Sequence, residues 1–209
     1  LLEQGLTLSS QSLDQLNTQV QKNIIESLDL SKMKNVLLYF PYKQEVKINL
    51  LHQQLIKYSH NIYMPKIFPE KVMKFNLYNR EHSLTKNKYG ITEVNNEEYL
   101  EPHLFDAMFI PFVGVDVNGF RIGYGEGYFD RALSSFTGSN QKKPLIIGLG
   151  YDYQILSKNL SEPHDLRYHK VITESRILSY NWYIKYIYYE KVIFNYPTIF
   201  YGYKKGCVY

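Results

Sequence analysis

The sequence predicts an α/β protein, a three-layer α/β/α arrangement around a mixed, mostly parallel sheet. Three observations carry this. Short apolar runs alternate with segments of helical periodicity, the order from which helix-covered sheets are built. The run Ala107 to Val115 leads into a glycine-rich stretch and then into helical spacing at Phe129, Ala132, Leu133 and Phe136, which reads as strand, loop, helix. Glu45, the glycine loop and Asp165 each follow an expected strand, and ligands of such sheets sit at the carboxyl ends of strands.

The elements follow in order. Leu13, Leu16, Val20, Ile24 and Leu28 step at helical spacing, so the chain opens on an amphipathic helix. Asn35 to Phe40 is an apolar run stopped by Pro41, a buried strand. Ile48, Leu51 and Leu55 mark a second helix, and Ile62 to Met64 the next strand. Val72 to Leu77 alternates apolar and polar residues, as a half-exposed strand does, whereas Glu81 to Tyr99 is polar and irregular and reads as a long loop around Gly90. Tyr128 to Phe136 reads as helix, Leu145 to Leu149 as strand, and Val171 to Thr173 as a short last strand. Two segments result: a domain over 1–175, and an aromatic C-terminal extension over 176–209 with no side-chain constellation that reads as a site.

Composition narrows the function classes. A hydrophobic content of 44% with 21% charged residues suits a globular chain with a substantial core. The net charge of +4 is mild: it suits a polyanionic small substrate and is no footprint for nucleic acid. Nine of the 21 tyrosines lie from Tyr180 onward, an excess read as compositional bias; a tyrosine-rich, basic tail that binds nucleic acid is the rival reading. No secretory signal and no membrane-spanning apolar stretch is visible. The single Cys207 excludes an internal disulfide and a cysteine-built zinc site, and points to a reducing compartment.

The chemistry concentrates in Asp116-Val-Asn-Gly-Phe-Arg-Ile-Gly-Tyr-Gly-Glu-Gly-Tyr-Phe-Asp-Arg131. Asn118-Gly119 is a tight-turn dipeptide, since both residues tolerate positive φ. Gly123, Gly125 and Gly127 let backbone N–H groups approach an anion, and a following helix start adds partial positive charge. The loop lacks the Lys-Ser/Thr ending of a P-loop and the spacing of the dinucleotide fingerprint, so three glycines alone also fit a plain bend. Arg121, Asp130 and Arg131 add anion- and metal-pairing groups. Asp130 equally fits a helix-dipole partner, Asp165 a loop cap, Glu45 an N-terminal helix glutamate, Phe40 a core residue and Arg131 a solvent-facing helix arginine.

Gly119 to Arg131 resembles the signature of the 5-formyltetrahydrofolate cyclo-ligase (methenyltetrahydrofolate synthetase) family, Gly-x-Arg-Leu-Gly-x-Gly-x-Gly-Tyr-Tyr-Asp after a strand. Phe40-Pro-Tyr-Lys-Gln-Glu45-Val, with its Glu-Val helix start, Ile62-Tyr-Met-Pro65, Val72 to Phe75, Gly90-Ile91-Thr-Glu93, Ile147 to Gln154, Pro163-His164-Asp165 and Val171 to Glu174 match other family segments in order, so the likeness covers roughly residues 9 to 175. The resemblance implies ATP-dependent conversion of 5-formyltetrahydrofolate to 5,10-methenyltetrahydrofolate, with ATP and Mg²⁺ as cofactors. It implies Arg121 and Tyr128 as catalytic residues, and ATP bound by Arg121, Ile122, Gly123, Tyr124, Gly125, Glu126, Gly127, Tyr128 and Phe129. Folate would meet Phe40, Glu45, Tyr124, Gly125, Glu126, Gly127 and Tyr128, and the metal Asp130 and Asp165. The expected partner is the small-molecule substrate, with no nucleic acid and no membrane; a monomer in the cytoplasm is expected, a mitochondrial location staying open.

Two departures stand out. The family's Lys-x-x-x-Arg element before the first helix has no match, since no Lys precedes Lys22 and the first Arg is Arg80. The chain is therefore either a piece of a longer one or a weaker binder of ATP, and a non-catalytic folate- or nucleotide-binding member is the alternative. Pro111-Phe-Val-Gly-Val115 stands where the family has Pro-Gly-Val-Ala-Phe, which alters the approach to the loop.

Overall fold

A computed structural model describes residues 8–58, 60–134, 143–160, 162 and 165–180. The chain runs α1 (Ser10–Ser27), β1 (Asn35–Leu37), α2 (Asn49–Lys57), β2 (Asn61–Ile67), β3 (Met73–Tyr78), β4 (Leu84–Lys86), β5 (Thr92–Val94), β6 (Ala107–Pro111), β7 (Gly114–Val115), β8 (Arg121–Ile122), α3 (Tyr128–Ala132), β9 (Leu145–Leu149), β10 (Lys170–Ile172) and β11 (Ile177–Ser179). A seven-stranded sheet has the order β11-β10-β9-β6-β1-β2-β3. The five inner strands are mutually parallel, and β3 and β11 close the two edges antiparallel. The expected α/β class with a mixed, mostly parallel sheet is present.

Alternation of side chains divides the core. Val36, Leu38, Ile62, Met64, Phe109 and Ile147 face α1 and α2, meeting Val20, Ile24, Leu51 and Leu55 in one buried cluster. Leu37, Tyr63, Met108, Ile110, Ile146 and Val171 face the other way, onto Phe129 and Leu133 and onto Leu166 and Tyr168. The second covering layer is thus one five-residue helix and irregular chain among the described residues, thinner than a full helical layer.

Local chemistry fixes the helices. Ser9 caps α1, its Oγ accepting the Ser12 N–H at 3.1 Å. Ile48 has no side-chain oxygen to cap α2, and Gln21 of α1 does so instead: its Oε1 accepts from the N–H groups of Leu50 at 2.7 Å and Leu51 at 3.3 Å. Asn17, one turn earlier, accepts from Lys47 N–H at 2.7 Å and the Tyr151 hydroxyl at 2.9 Å. A buried polar seam therefore sets the pitch of α1 against α2. Asp106 does the same for the sheet centre, its Oδ2 accepting from Lys34 and Asn35 N–H at 2.8 and 3.0 Å and tying the start of β1 to that of β6.

Several sequence expectations change. The strand expected over Ala107 to Val115 breaks after Pro111, because the Gln154 amide donates to the carbonyls of Phe112 and Val113 at 2.9 and 3.2 Å and takes them out of the ladder. The helix expected to reach Phe136 ends at Ala132, and 135–142 lie outside the described residues. The loop expected over Glu81 to Tyr99 contains the β4–β5 hairpin. The helix start expected at Glu45-Val46 is a turn, with Glu45 N–H donating to Tyr42 O at 3.1 Å, and α2 begins at Asn49. The first residues of the extension form β11, while Asn181 to Tyr209 lie outside the described residues. No helix among the described residues is long and apolar enough to cross a membrane.

Candidate active site

The inner strands are parallel, so their carboxyl ends gather on one side, and a cleft of about 360 Å³ opens there. Its walls come from the ends of β1 (Tyr39, Phe40), β2 (Pro65, Ile67) and β6 (Pro111), from the Tyr42–Glu45 turn, from the β4–β5 hairpin and from the glycine loop. Most of this lining is aromatic or aliphatic, with a few convergent polar groups, the make-up of a small-molecule pocket.

The glycine loop hangs from the β7–β8 hairpin. Asp116, fully buried, holds its turn: Oδ1 accepts from Asn118 and Phe120 N–H, each at 2.9 Å. Gly119 has φ +83°, and a Cβ there would lie 2.5 Å from the Tyr180 ring, so only glycine fits. Beyond β8, Arg121 folds back over Gly123, whose Cβ would fall 2.2 Å from the guanidinium. Arg121 Nε donates to Pro111 O at 3.0 Å, a carbonyl that also receives the buried Tyr168 hydroxyl at 3.3 Å, and the guanidinium lies 5.1 Å over the Phe129 ring. Gly125 (φ +91°) has open space around it, and Gly127 (φ +66°) caps α3. The loop backbone is therefore uncrowded at Gly125 and left-handed at Gly125 and Gly127, a conformation that glycine suits. The expected boost from a helix N-terminus is small, because α3 has five residues.

The other expected residues fall into groups. Phe40, Glu45, Arg121, Tyr124, Glu126, Gly127, Tyr128 and Phe129 all line the cleft. Ile122, Gly123 and Gly125 do not; Ile122 spends its carbonyl on Val113 N–H at 2.9 Å inside the hairpin. Phe40 is both wall and core, packing edge-on to Tyr78 at 5.6 Å. Tyr124 stands edge-on to Tyr42 at 5.7 Å, and Lys43 Nζ lies 5.1 and 5.2 Å from their two ring centres. Burial raises the Tyr124 hydroxyl to about 12. Glu45 lies outside any helix, so no helix dipole explains it. Loss of hydration drives its pKa up to about 7, against the opposing effects of Tyr42 N–H, which donates to Oε2 at 2.9 Å, and of the Arg121 charge. Arg131 is exposed on α3, as a solvent-facing arginine would be, and it also donates to Glu126 O and, at 3.4 Å, to Lys71 O, bracing the loop against the β2–β3 turn.

Neither Asp130 nor Asp165 lines the cleft. Asp130 Oδ1 accepts Leu166 N–H at 3.0 Å, and Asp165 Oδ2 accepts Glu162 N–H at 2.7 Å. The first of these bonds anchors the residue next to Asp165, so the two aspartates belong to one junction. No group of three or more His, Cys, Asp or Glu able to hold a metal occurs among the described residues. Mg²⁺ needs fewer, one or two carboxylates with phosphate oxygens and water, and Asp130 retains its Oδ2, so the donor chemistry fits.

Sequence reasoning missed the opposite wall: Ile67, Met73, Asn87, Tyr89 and Glu93. Glu93 was legible only as part of Gly90-Ile91-Thr-Glu93; its signal is a carboxylate in an apolar setting beside a turn asparagine.

A parallel sheet whose strand ends open an aromatic cleft, with a glycine loop, an arginine and a largely buried glutamate facing in, defines an α/β protein with a small-molecule cleft. Comparison with known proteins narrows the class. The model of the 5-formyltetrahydrofolate cyclo-ligase family matches residues 1–174, and the chain belongs to that family. It is 32% identical over 162 residues to the 5-formyltetrahydrofolate cyclo-ligase of Haemophilus influenzae, covering 75% of this chain and 82% of that protein. The enzyme of that name from Mycoplasma pneumoniae is 25% identical over 175 residues, covering 83% of this chain and 94% of that one. Among solved structures, the 5,10-methenyltetrahydrofolate synthetase of Aquifex aeolicus superposes with a TM-score of 0.71 at 26% identity, covering 85% of this chain and 88% of that one.

Proposed function

We propose that this protein cyclises 5-formyltetrahydrofolate to 5,10-methenyltetrahydrofolate at the expense of ATP, releasing ADP and phosphate. Family membership supports the reaction. The observation that carries it to particular residues is that Glu45, Arg121 and the glycine loop share one cleft.

The chemistry explains that set. The formyl group on N5 is an amide, so its carbon resists attack until its oxygen becomes a leaving group. The formyl oxygen attacks the γ-phosphorus of ATP; the bond from that phosphorus to the bridging oxygen breaks and ADP departs with the electron pair. N10 then bonds to the formyl carbon, the carbon–oxygen bond breaks onto phosphate, and N10 loses its proton. Such phosphoryl transfers depend on positioning and on charge stabilisation. Arg121 and the cleft-lining part of the 122–129 loop, Tyr124, Glu126, Gly127, Tyr128 and Phe129, hold the phosphates. Tyr128 and Tyr124 bound the reacting groups, with Phe40 as the pterin wall. Glu45, titrating near pH 7, hydrogen-bonds the pterin or orients the formyl group. Asp130, with Asp165 beside it, would hold Mg²⁺, which when bound spreads the triphosphate charge.

The test is the rise in methenyl absorbance on mixing protein, 5-formyltetrahydrofolate and ATP. A rise that needs both ligands is expected; ligand-induced stabilisation without it identifies a binding-only relative. The same reading takes the protein as a cytoplasmic monomer, a mitochondrial site staying open, with no nucleic-acid or membrane partner. A single species of about monomer mass on size exclusion, unaffected by added RNA, is the expected result.

A further inference from the structure

Glu93 is a buried carboxylate, 5% exposed, on a wall of the cleft that the reaction chemistry leaves unused. Its Oε1 is saturated: it accepts Ile67 N–H from β2 at 2.9 Å and the Asn87 amide at 2.8 Å. Asn87 is itself fixed, its Oδ1 accepting from Tyr89 and Ile91 N–H at 2.9 and 3.1 Å. The carboxylate is therefore held in one orientation by groups on two elements. Its Oε2 has no partner among the described residues and is not sealed from solvent, so it looks onto the cleft. A charged oxygen kept there is costly unless a ligand donor meets it.

Resting on the function proposed above, we infer that Glu93 is a specificity residue: its Oε2 accepts the exocyclic 2-amino group and adjoining ring N–H of the bound pterin. The donor pattern decides the ligand. The pyrimidinone edge of a 2-amino-4-oxo pterin presents an NH₂ beside a ring N–H, two donors facing one way. The corresponding edge of adenine presents an NH₂ beside a ring nitrogen acceptor, which a carboxylate repels. Ile67, Met73, Tyr89 and Ile91 supply the flat apolar walls such a ring requires. Glu45 reaches the cleft from the separate Tyr42–Glu45 turn, so the two carboxylates are free to serve different parts of the substrate.

The experiment compares 5-formyltetrahydrofolate with its 2-desamino analogue, in the unaltered protein and in Glu93→Gln. Hydrogen bonds to charged groups imply a preference of about 10- to 100-fold in kcat/KM for the natural substrate. In Glu93→Gln that preference falls to about threefold or less, with KM for 5-formyltetrahydrofolate raised and KM for ATP unchanged. Glu93→Asp, which keeps the charge but withdraws it, gives the same result and serves if the glutamine variant does not fold. A preference that survives in the variant that folds, or none in the unaltered protein, overturns the inference. A role confined to bracing Ile67 and Asn87 lowers activity on both substrates alike and leaves the ratio intact. Absence of any turnover of 5-formyltetrahydrofolate in the unaltered protein instead removes the proposed function.

Discussion

The two walls of the cleft are built on opposite principles. On the glycine-loop side the chain is turned by glycine: Gly127, which lines the cleft, has positive φ, and Gly125 beside it has positive φ and open space around it. On the side of β2 and the β4–β5 hairpin the backbone is consumed: Ile67, Tyr89 and Ile91 N–H are all taken by Glu93 and Asn87. On the function proposed above, the first wall offers main-chain donors to an anion of any shape. The second offers one fixed side-chain acceptor to a ligand of defined edge. A bare backbone gives charge recognition and tolerance, whereas a satisfied one gives discrimination.

The largest test of that contrast is on the glycine-loop side. Arg121→Ala removes its charged donor and should lower kcat/KM by about 10²–10³-fold, while Arg131→Ala, which only braces the loop, should cost about tenfold or less in the same steady-state assay. Asp130→Asn should abolish turnover while keeping the acceptor for Leu166 N–H, so its melting temperature stays close to that of the unaltered protein. Unchanged turnover removes the metal role.

A mid-sized effect concerns pH. Glu45 has a folded pKa of about 7, above the ordinary 4.5, so the folded state binds its proton more tightly than the unfolded state. Its contribution to stability is complete below pH 4.5 and is lost as pH rises through 7. Glu45→Gln, which has no charge to desolvate, should become more stable than the unaltered protein across that window, by roughly 1–3 kcal/mol above pH 7 in urea titrations. The smallest effect is expected from Gly125→Ala, where the added methyl meets nothing and only the φ of +91° opposes it: about 1 kcal/mol of stability, with KM for ATP rising more than KM for the folate.

The same contrast explains what the sequence disclosed. α1 was readable from Leu13 to Leu28 because tertiary burial follows its own period, and the Asn118-Gly119 turn and the glycines were readable because each reports its backbone demand. The β4–β5 hairpin was not: Leu84, Thr85 and Lys86 are all exposed, so no alternation marks them, and the pairing is imposed by the Asn87–Ile91 turn. Glu93 stayed hidden for the same reason, since its meaning depends on Ile67, which is distant in sequence. Gln154 ended β6 from 42 residues away, which no local pattern foretells. Asp130 and Asp165 are linked through Leu166, whose N–H Asp130 accepts, and no spacing between the two in the sequence signals that link.

β1 is the first strand among the described residues and lies third from the β3 edge of the sheet, with β2 on one flank and β6 on the other. During synthesis its β2 flank is filled early, but the β6 flank waits until Ala107 and Met108 have left the ribosome, as does the Asp106 carboxylate that clasps Lys34 and Asn35. About 70 residues therefore separate the first of these strands from its second neighbour, a non-local pairing of the kind that slows folding and leaves an apolar edge open in the meantime.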